Sequence, residues 1–539
     1  MFLRPLSRAV TRPVSILILL AWIAVMGVLV NRSYIQASSA SLATDLARYG
    51  SAAEWRGVYY RGEKIGFTVS QTVPKDDGFE LQEDGRLQMS LLGATTAATI
   101  HTVARVDSDF VLRSFEFSLD PGTGPVAVRG QVAGRHLTLS VTTSSGTREE
   151  DRELAEPPAL SLNLSRRLAN GGLKAGARYE WSVFDPATLR NAPVIVSVGK
   201  REIVRGAGVP IPAFRVEMDV AGLHTTSWVT DTGEVVREES PMGLITVRES
   251  ADSARRMAVT RRLQTDMLQA AAVVPVMRQR IDEPRDVRRL RVRLTGADLS
   301  GADLEGAGQH VAGDVIEMQD PRSLQAGPAD RDLARYLAPE AFIESDAPEI
   351  RAEADIAVRG VDGTRARAER LTRYVNAILE KKPTMSLPSA REVLRTKVGD
   401  CNEHTALYVA MARALGIPAR IAVGLVYIHG AFYYHAWPEV YLDEGSSRGL
   451  WLPVDPTLNE FPADGTHLRL ARGGLDKQTV ILPLIGRLKM RVLDLELTPN
   501  STPILVGKQP VDLGPLAIPI PKRQVCCVCA TPSALPGSR

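Results

Sequence analysis

The stretch that decides the fold opens with Gly399-Asp-Cys-Asn-Glu-His404 and closes with Trp451-Leu-Pro-Val-Asp-Pro456. Within it, Cys401, His435 and Asp455 follow one another in the order of nucleophile, base and orienting acid. The sequence predicts a helix start at Cys401 and strands around the other two residues. This order and placement predict a site in which an imidazole, held by a carboxylate, activates a thiol.

A helix is predicted from residue 401 to residue 415, with Asp400 as its N-cap and Gly416-Ile-Pro418 as its stop. A sulfur in the first turn lies at the positive end of the helix dipole, where the pKa of a thiol is lowered. An imidazolium nearby lowers the pKa of the thiol further. The thiolate of Cys401 is therefore expected to be available near neutral pH.

The predicted chemistry is acyl transfer through a thioester. Cys401 would attack an amide carbonyl, His435 would protonate the leaving amine, and Asp455 would orient the imidazole. The backbone N–H of Cys401 is one candidate donor to the oxyanion. The second donor stays open, with Trp437 or a side chain upstream of the cysteine as candidates.

Other uses of the cysteines are less well supported by the sequence. Cys401 and His404 have the spacing of half a zinc site, but the other half is missing in any compact motif, so no metal or cofactor is predicted. Cys526, Cys527 and Cys529 lie within the last 14 residues, which leaves Cys401 without a predicted disulfide partner in the folded body. A reactive thiol is the favoured interpretation, with an inert buried thiol as the alternative.

The amino-terminal residues indicate export. Residues 1–12 contain Arg4, Arg8 and Arg12, and residues 13–31 form an uncharged, mostly aliphatic run. This pattern predicts a cytoplasmic basic end followed by either a transmembrane anchor or a cleaved signal segment. The expected location is the extracytoplasmic side of the inner membrane, or the periplasm if the segment is removed.

The remaining chain divides by pattern into four segments. Residues 53–250 alternate apolar and polar residues and predict an antiparallel β-rich domain; residues 251–339 predict a helix, a linker and connecting strands. Residues 340–497 hold the predicted catalytic domain, and residues 498–539 form a Pro/Gly-rich tail predicted to be disordered. The predicted fold class is α+β, with several domains and an N-terminal membrane helix.

Four separated blocks carry a resemblance to a known family. They are Gly399-Asp-Cys401, Arg413-Ala-Leu-Gly-Ile-Pro-Ala-Arg420, His435-Ala-Trp-Pro-Glu-Val-Tyr441 and Trp451-Leu-Pro-Val-Asp-Pro-Thr457. In order and composition they resemble the core of the transglutaminase-like superfamily, which includes transglutaminases, proteases and peptide amidases. The resemblance covers roughly residues 340–475. It implies a papain-like fold and assigns Cys401, His435 and Asp455 to a Cys-His-Asp triad.

Composition restricts the partners. The 539 residues include 65 Lys or Arg and 62 Asp or Glu, a net charge of +3 that gives no reason to expect nucleic acid as a partner. The expected partners are a protein or peptide substrate in the cell envelope and, through the N-terminal segment, the membrane. Hydrolysis is favoured slightly over transamidation, because no acidic cluster in the sequence resembles the calcium sites of the animal cross-linking enzymes of this superfamily. The alternative is an envelope scaffold or peptide-binding protein that uses a core of this type without catalysis.

Overall fold

The structure, a computed structural model, describes residue 49 and residues 53–498, with gaps at 92–93, 123–124, 144–145, 221, 241–242, 257–265, 307, 384–386, 444–447 and 474–478. The predicted basic end, the predicted anchor or signal segment at 13–31 and the predicted tail beyond residue 498 lie outside the described residues. From Trp55 onward the described residues pack as one compact unit.

The first half of the described chain forms one sheet of fifteen strands, antiparallel except where the short β9 lies parallel to β10. The strands are β1 Glu54–Tyr60, β2 Glu63–Lys75, β3 Gly78–Leu91, β4 Ala94–Val106, β5 Leu112–Asp120, β6 Val126–Ala133, β7 His136–Thr143, β8 Gly146–Glu153, β9 Pro158–Ala159, β10 Arg178–Asp185, β11 Arg190–Gly206, β12 Val209–Val220, β13 Leu223–Val229, β14 Val235–Glu239 and β15 Leu244–Glu249. Two meanders join where β1 pairs with β15, so β8 lies at one edge and β9 at the other.

The alternating pattern gives this sheet one covered face. In β7, for example, Leu137, Leu139 and Val141 are buried, whereas His136 is exposed. Side chains two residues apart lie on the same face of a strand, so a period-two pattern buries one face. A helix in the same half, α1 Ser161–Asn170, packs apolar side chains of its own against the sheet.

The second half contains short helices, two sheets of four and five strands and one two-stranded sheet. The helices of the described residues, of which α1 belongs to the first half, are α1 Ser161–Asn170, α2 Ala251–Arg255, α3 Met267–Ala271, α4 Pro348–Ala357, α5 Thr364–Ile378, α6 Ala390–Thr396 and α7 Cys401–Ala414. The further strands are β16 Val287–Thr295, β17 Gln309–Ala312, β18 Val315–Gln319, β19 Gly327–Pro328, β20 Glu380–Lys381, β21 Val398–Gly399, β22 Ala419–Ile428, β23 Ala431–Asp443, β24 Arg448–Pro453, β25 Leu468–Arg472 and β26 Lys489–Leu497. One sheet has the order β17–β18–β16–β26, and the other has the order β19–β24–β23–β22–β25.

Helix α7 lies at the centre of the second half. It packs on β22 and β23 of the five-stranded sheet, and α4, α5 and α6 pack around it. Small residues at Ala406, Ala410 and Ala412 let neighbouring elements approach closely, and all three are fully buried. The hydroxyl of Tyr408 donates a hydrogen bond to the carbonyl of Ala368 on α5, at 3.0 Å. These contacts hold the start of α7 in a fixed position.

The predicted fold class is wrong. Strands account for 51% of the described residues and helices for 19%, and a large β-sheet dominates the structure, which does not fit the predicted α+β class. The prediction gave weight to the helices around Cys401, whereas the strands, including the connecting strands expected in residues 251–339, hold far more residues than the helices. No helix among the described residues is long and apolar enough to cross a membrane.

Candidate active site

Helix α7 starts in a capping box that fixes the position of Cys401. The carboxylate of Asp400 accepts a hydrogen bond from the backbone N–H of Asn402 at 3.0 Å, and Glu403 Oε2 accepts one from the N–H of Asp400 at 2.8 Å. Such reciprocal caps satisfy N–H groups that the helix itself cannot pair. Cys401 is thus the first residue of the helix, partly exposed and outside any disulfide.

The glycine before the cap is required by the same arrangement. A Cβ at Gly399 would collide with Cβ of Glu403, which folds back over the start of the helix. The sequence Gly-Asp-Cys therefore has a steric reason for its first residue as well as a capping reason for its second.

His435 and Asp455 lie beside each other because β23 and β24 are paired neighbours. His435 is on β23, and Asp455 lies two residues beyond the end of β24. The distance from His435 Nε2 to Asp455 Oδ2 is 2.7 Å, and both side chains are almost completely buried. The other carboxylate oxygen of Asp455 accepts hydrogen bonds from the N–H groups of Thr457 and Leu458, at 2.7 and 2.9 Å.

The third predicted residue lies on the other side of the imidazole. Cys401 and His435 are hydrogen-bonded through their side chains. Because Nε2 of His435 contacts Asp455, its Nδ1 is the ring nitrogen that remains for the sulfur. The structure thus brings together all three side chains that the sequence predicted for the site.

The charges of His435 and Asp455 are set by their mutual attraction. Burial alone would lower the pKa of His435, but attraction by the carboxylate of Asp455 and the sulfur of Cys401 outweighs it and raises the pKa to about 9. Burial would raise the pKa of Asp455, but His435 and then His467 hold the pKa of that carboxyl well below its ordinary value. An ionised carboxylate only accepts hydrogen bonds, so Nε2 of His435 is the donor.

His467 is part of the site, and the sequence prediction missed it. The residue directly precedes β25 and is buried. Its Nε2 lies 3.1 Å from Asp455 Oδ2, the oxygen that also contacts His435. Its Nδ1 lies 3.2 Å from the carboxylate of Asp464. The sequence signal was the Asp464-Gly-Thr-His467 spacing, which places an acid and an imidazole in one tight loop.

Two carboxyl groups beyond His467 extend this polar cluster. Burial would lower the pKa of His467, but Asp464 and Asp455 raise it well above its ordinary value. Glu460 accepts a hydrogen bond from the N–H of Asp464 at 3.0 Å and pairs with Arg285 at 3.1 Å. Burial and the nearby Asp464 raise the pKa of Glu460 to about 8. Asp455, the acid of the candidate triad, is therefore part of a buried hydrogen-bond network that includes His467, Asp464 and Glu460.

The donor types in this network also suit a metal ion. His435, Asp455 and His467 offer ligand atoms within 4.8 Å of one another, as do Glu460, Asp464 and His467. Several of these atoms already lie at hydrogen-bonding distances, 2.7 to 3.2 Å. A bound ion would have to replace those hydrogen bonds, so hydrogen bonding accounts for the arrangement without one.

Trp437 and His404 occupy positions that the sequence could not fix. Trp437 is buried, and its ring lies 6.2 Å from the ring of His435 and 5.1 Å from that of His467. It lines a separate cavity of about 20 Å³. His404 is fully buried, with Nδ1 2.7 Å from the carbonyl of Asp400, and burial lowers its pKa. A neutral His404 donates through Nδ1 to that carbonyl.

Comparison with known proteins gives the class to which this site belongs. Residues 352–456 match the family model described as the transglutaminase-like superfamily. These residues are therefore a transglutaminase-like domain, and the resemblance inferred from the four sequence blocks is confirmed. The search of curated proteins found no match to this chain.

Three solved structures show partial similarity. A candidate cysteine protease from Cytophaga hutchinsonii is 16% identical over 42% of this chain and 88% of its own, with a TM-score of 0.28. The periplasmic domain of TgpA from Pseudomonas aeruginosa, bound to ethylmercury, is 20% identical over 34% and 76%, with a TM-score of 0.22. A beta-barrel-like protein of a domain of unknown function from Brucella abortus is 13% identical over 36% and 96%, with a TM-score of 0.29. Because these TM-scores are low, the family assignment rests on the sequence model.

Proposed function

We propose that the protein is a thiol enzyme that transfers the acyl group of an amide through a thioester on Cys401. The observation that carries this proposal is the position of His435, which contacts the sulfur of Cys401 on one side and the carboxylate of Asp455 on the other. A nucleophile paired with a base that a third group orients is the arrangement on which covalent catalysis relies.

The proposed reaction has two steps. Cys401 Sγ attacks the amide carbonyl, a C–S bond forms, and the oxyanion is stabilised by the backbone N–H of Cys401 in the first turn of α7. The C–N bond then breaks as His435 gives its Nδ1 proton to the leaving amine. In the second step water attacks the thioester, His435 accepts a proton from it, and the acid leaves as the thiol is restored. An amine in place of water gives transamidation.

The proposed substrate is a protein or peptide outside the cytoplasm. An extracytoplasmic location is supported by the arginine-bearing end and apolar run of residues 1–31 in the sequence. Hydrolysis is the proposed outcome, because water needs no binding site of its own beside the thioester.

An alkylation experiment tests the activated thiol. Cys401 of the full-length protein should react with iodoacetamide at pH 6.5 about tenfold faster than Cys401 in His435→Ala, because the imidazolium keeps the sulfur ionised below the ordinary thiol pKa of about 8.5. The rate is measured by mass spectrometry of the peptide that contains Cys401, with Cys401→Ala as the blank. Equal rates in the two proteins would overturn the proposal.

A further inference from the structure

Strand β8 has one edge without a neighbouring strand. It lies at the end of the fifteen-strand sheet and pairs with β7 alone among the described strands. The N–H of Leu154 donates to the carbonyl of Arg135 at 2.9 Å, and the register places these residues opposite each other. Because antiparallel residues alternate between bonded and non-bonded pairs, the backbone groups of Glu149 and Asp151 point away from β7.

This outer edge borders a cavity of about 780 Å³. Four residues of β8 line the cavity: Arg148, Glu149, Glu150 and Arg152. Successive side chains of a strand point to opposite faces of the sheet. Residues from both faces can line one cavity only where the cavity runs along the edge of the strand. Glu149, whose backbone groups point away from β7, lies among these lining residues, so the outer edge of β8 borders the cavity at this position.

The wall opposite β8 borders the candidate active site: neighbours of Cys401 and His435 line it, while Cys401 and His435 themselves do not. It includes Asn402, which follows Cys401, and Ala436, which follows His435. Thr405, one turn further along α7, also lines this wall and donates to the carbonyl of Ala436 at 3.1 Å. The cavity thus lies between a strand edge and the residues that adjoin the thiol and the imidazole.

A second cavity, of about 420 Å³, continues along the same strand. It is lined by β8 from Gly146 to Glu149 and, opposite, by residues that include Ala341 and Asp346. The two cavities together border β8 from Gly146 to Arg152, a length of about 20 Å at 3.3 Å per residue. An ion pair of 3.3 Å between Arg148 and Asp346 crosses this groove, but both side chains are partly exposed to solvent, and such pairs contribute little.

We propose that this groove binds the acyl donor as an extended polypeptide, which adds as a strand to the outer edge of β8 and brings its amide to Cys401. The inference rests on the proposed function and names its substrate class. Strand addition to a sheet edge recognises the main chain of any extended peptide, and pockets for alternate side chains give specificity. Glu149 lines both cavities, and its carboxylate has no hydrogen-bond or ion-pair partner among the described residues, so a cationic side chain is expected opposite it.

A protective role is the competing explanation for the charges of β8. Its sequence, Gly146-Thr-Arg-Glu-Glu-Asp-Arg-Glu153, is rich in charge, and charged edge strands resist edge-to-edge association. A protective edge needs only solvent beside it. The edge of β8 instead faces a groove whose other wall carries the neighbours of Cys401 and His435, which favours a bound strand.

The test uses full-length Cys401→Ala protein, which cannot turn over a substrate, and a library of random peptides. Peptides enriched on this protein should bind about tenfold more weakly after the further change Glu149→Pro, because proline removes an outward N–H without touching the bonds to β7. Glu149→Ala is the matched control: it keeps the N–H, so only peptides with Lys or Arg should weaken. Circular dichroism and thermal unfolding check that each variant is folded.

A second measurement needs no variant of β8. Methylation of alternate backbone nitrogens in the best peptides should weaken binding at every second position, the period of strand pairing. The inference is overturned if no peptide is enriched, or if enriched peptides bind equally well to the Glu149→Pro protein. Iodoacetamide labelling of Cys401 in the wild-type protein is independent of both results. If peptides bind along β8 but the thiol is inert, the proposed function is refuted and the peptide-binding groove still stands.

Discussion

At the scale of single residues, the oxygen Oδ2 of Asp455 is shared by two imidazoles. His435 lies 2.7 Å from it and His467 lies 3.1 Å from it. Both rings have raised pKa values, so the oxygen lies between two cations that repel each other. His467 is therefore a positioning residue that acts through Asp455 on the base.

Replacing His467 with Gln should change the pH profile of Cys401 alkylation. Removing the second cation favours the imidazolium form of His435, so the pKa of His435 should rise above about 9. The step at high pH in the pH dependence of the labelling rate, which reports the loss of the His435 proton, should therefore move to higher pH. The rate constant for iodoacetamide is measured from pH 6 to pH 11. An upper step at the same pH as in the wild type would contradict this role.

His467→Leu separates this electrostatic role from a structural one. Leucine also removes the cation but donates no hydrogen bond to Asp455, so the free energy of unfolding should fall by a further 1–3 kcal/mol, approximately, relative to His467→Gln. Denaturant titration of the two variants gives the comparison. Gln and Leu variants of equal stability would show that the hydrogen bond to Asp455 contributes nothing.

At the scale of elements, a buried ion cluster joins three strands of the five-stranded sheet. Glu439 of β23 accepts hydrogen bonds from Arg420 of β22 at 2.7 Å and from Arg469 of β25 at 2.8 Å. Arg469 also donates to the carbonyls of Glu305 and Gly306, which hold a preceding loop. The cluster lies on β23, four residues from His435, so it fixes the strand that carries the base.

Glu439→Gln should destabilise the protein by about 3–5 kcal/mol, because two buried guanidinium groups then lack a counter-charge. Burial would raise the pKa of Glu439, but Arg469 and Arg420 lower it to about 2. A depressed folded-state pKa stabilises the protein above the unfolded value of about 4.3 and loses that stability as the pH falls toward 2. The loss of stability between about pH 4.3 and pH 2 should therefore be smaller in the variant.

Glu496→Gln is the control for this experiment, because Glu496 pairs with Arg289 at the surface. Its effect on the unfolding free energy should stay below about 1 kcal/mol. Urea titrations over the acid range measure both variants. A Glu439→Gln protein with the stability and acid dependence of the control would disprove the importance of the cluster.

At the scale of the whole molecule, the transglutaminase-like domain depends on segments outside it. β26 pairs with β16, which lies about two hundred residues earlier in the chain. Phe342 and Leu387 are buried in the same apolar cluster as Leu137 and Phe184 of the large sheet. The large sheet and the transglutaminase-like region therefore share one apolar cluster. This shared packing also explains why β8 is held close to the elements that carry the candidate active site.

A fragment of residues 340–497 should fold poorly on its own. It lacks β16, which leaves β26 unpaired, and it exposes the apolar side chain of Phe342. Expression, circular dichroism and gel filtration compare it with a fragment of residues 53–498. A monomeric, cooperatively folded 340–497 fragment would contradict this dependence.

The sequence by itself determined the helix ends and the motifs that identify the superfamily. Capping at Asp400, the stop after α7 and the four separated blocks are encoded by residues close together in the chain, and the family model confirms the class that they indicate. The fold class was wrong because it gave weight to the helices around Cys401, and the pairing of distant strands, such as β16 with β26, leaves little trace in local pattern. Local rules act over a few residues, and they therefore define elements better than their arrangement.

Only the tertiary structure decided what surrounds Cys401. Asp455 and His467 are 12 residues apart in the chain, and nothing in their spacing requires one carboxylate oxygen to contact both His467 and His435. The same holds for β8, whose sequence does not show that it shares a cavity with Asn402 and Ala436. Burial, shared hydrogen bonds and shared cavities depend on which atoms lie close together in space. Atoms that are far apart in the chain meet only when the long segment between them closes, and local sequence pattern does not encode that closure.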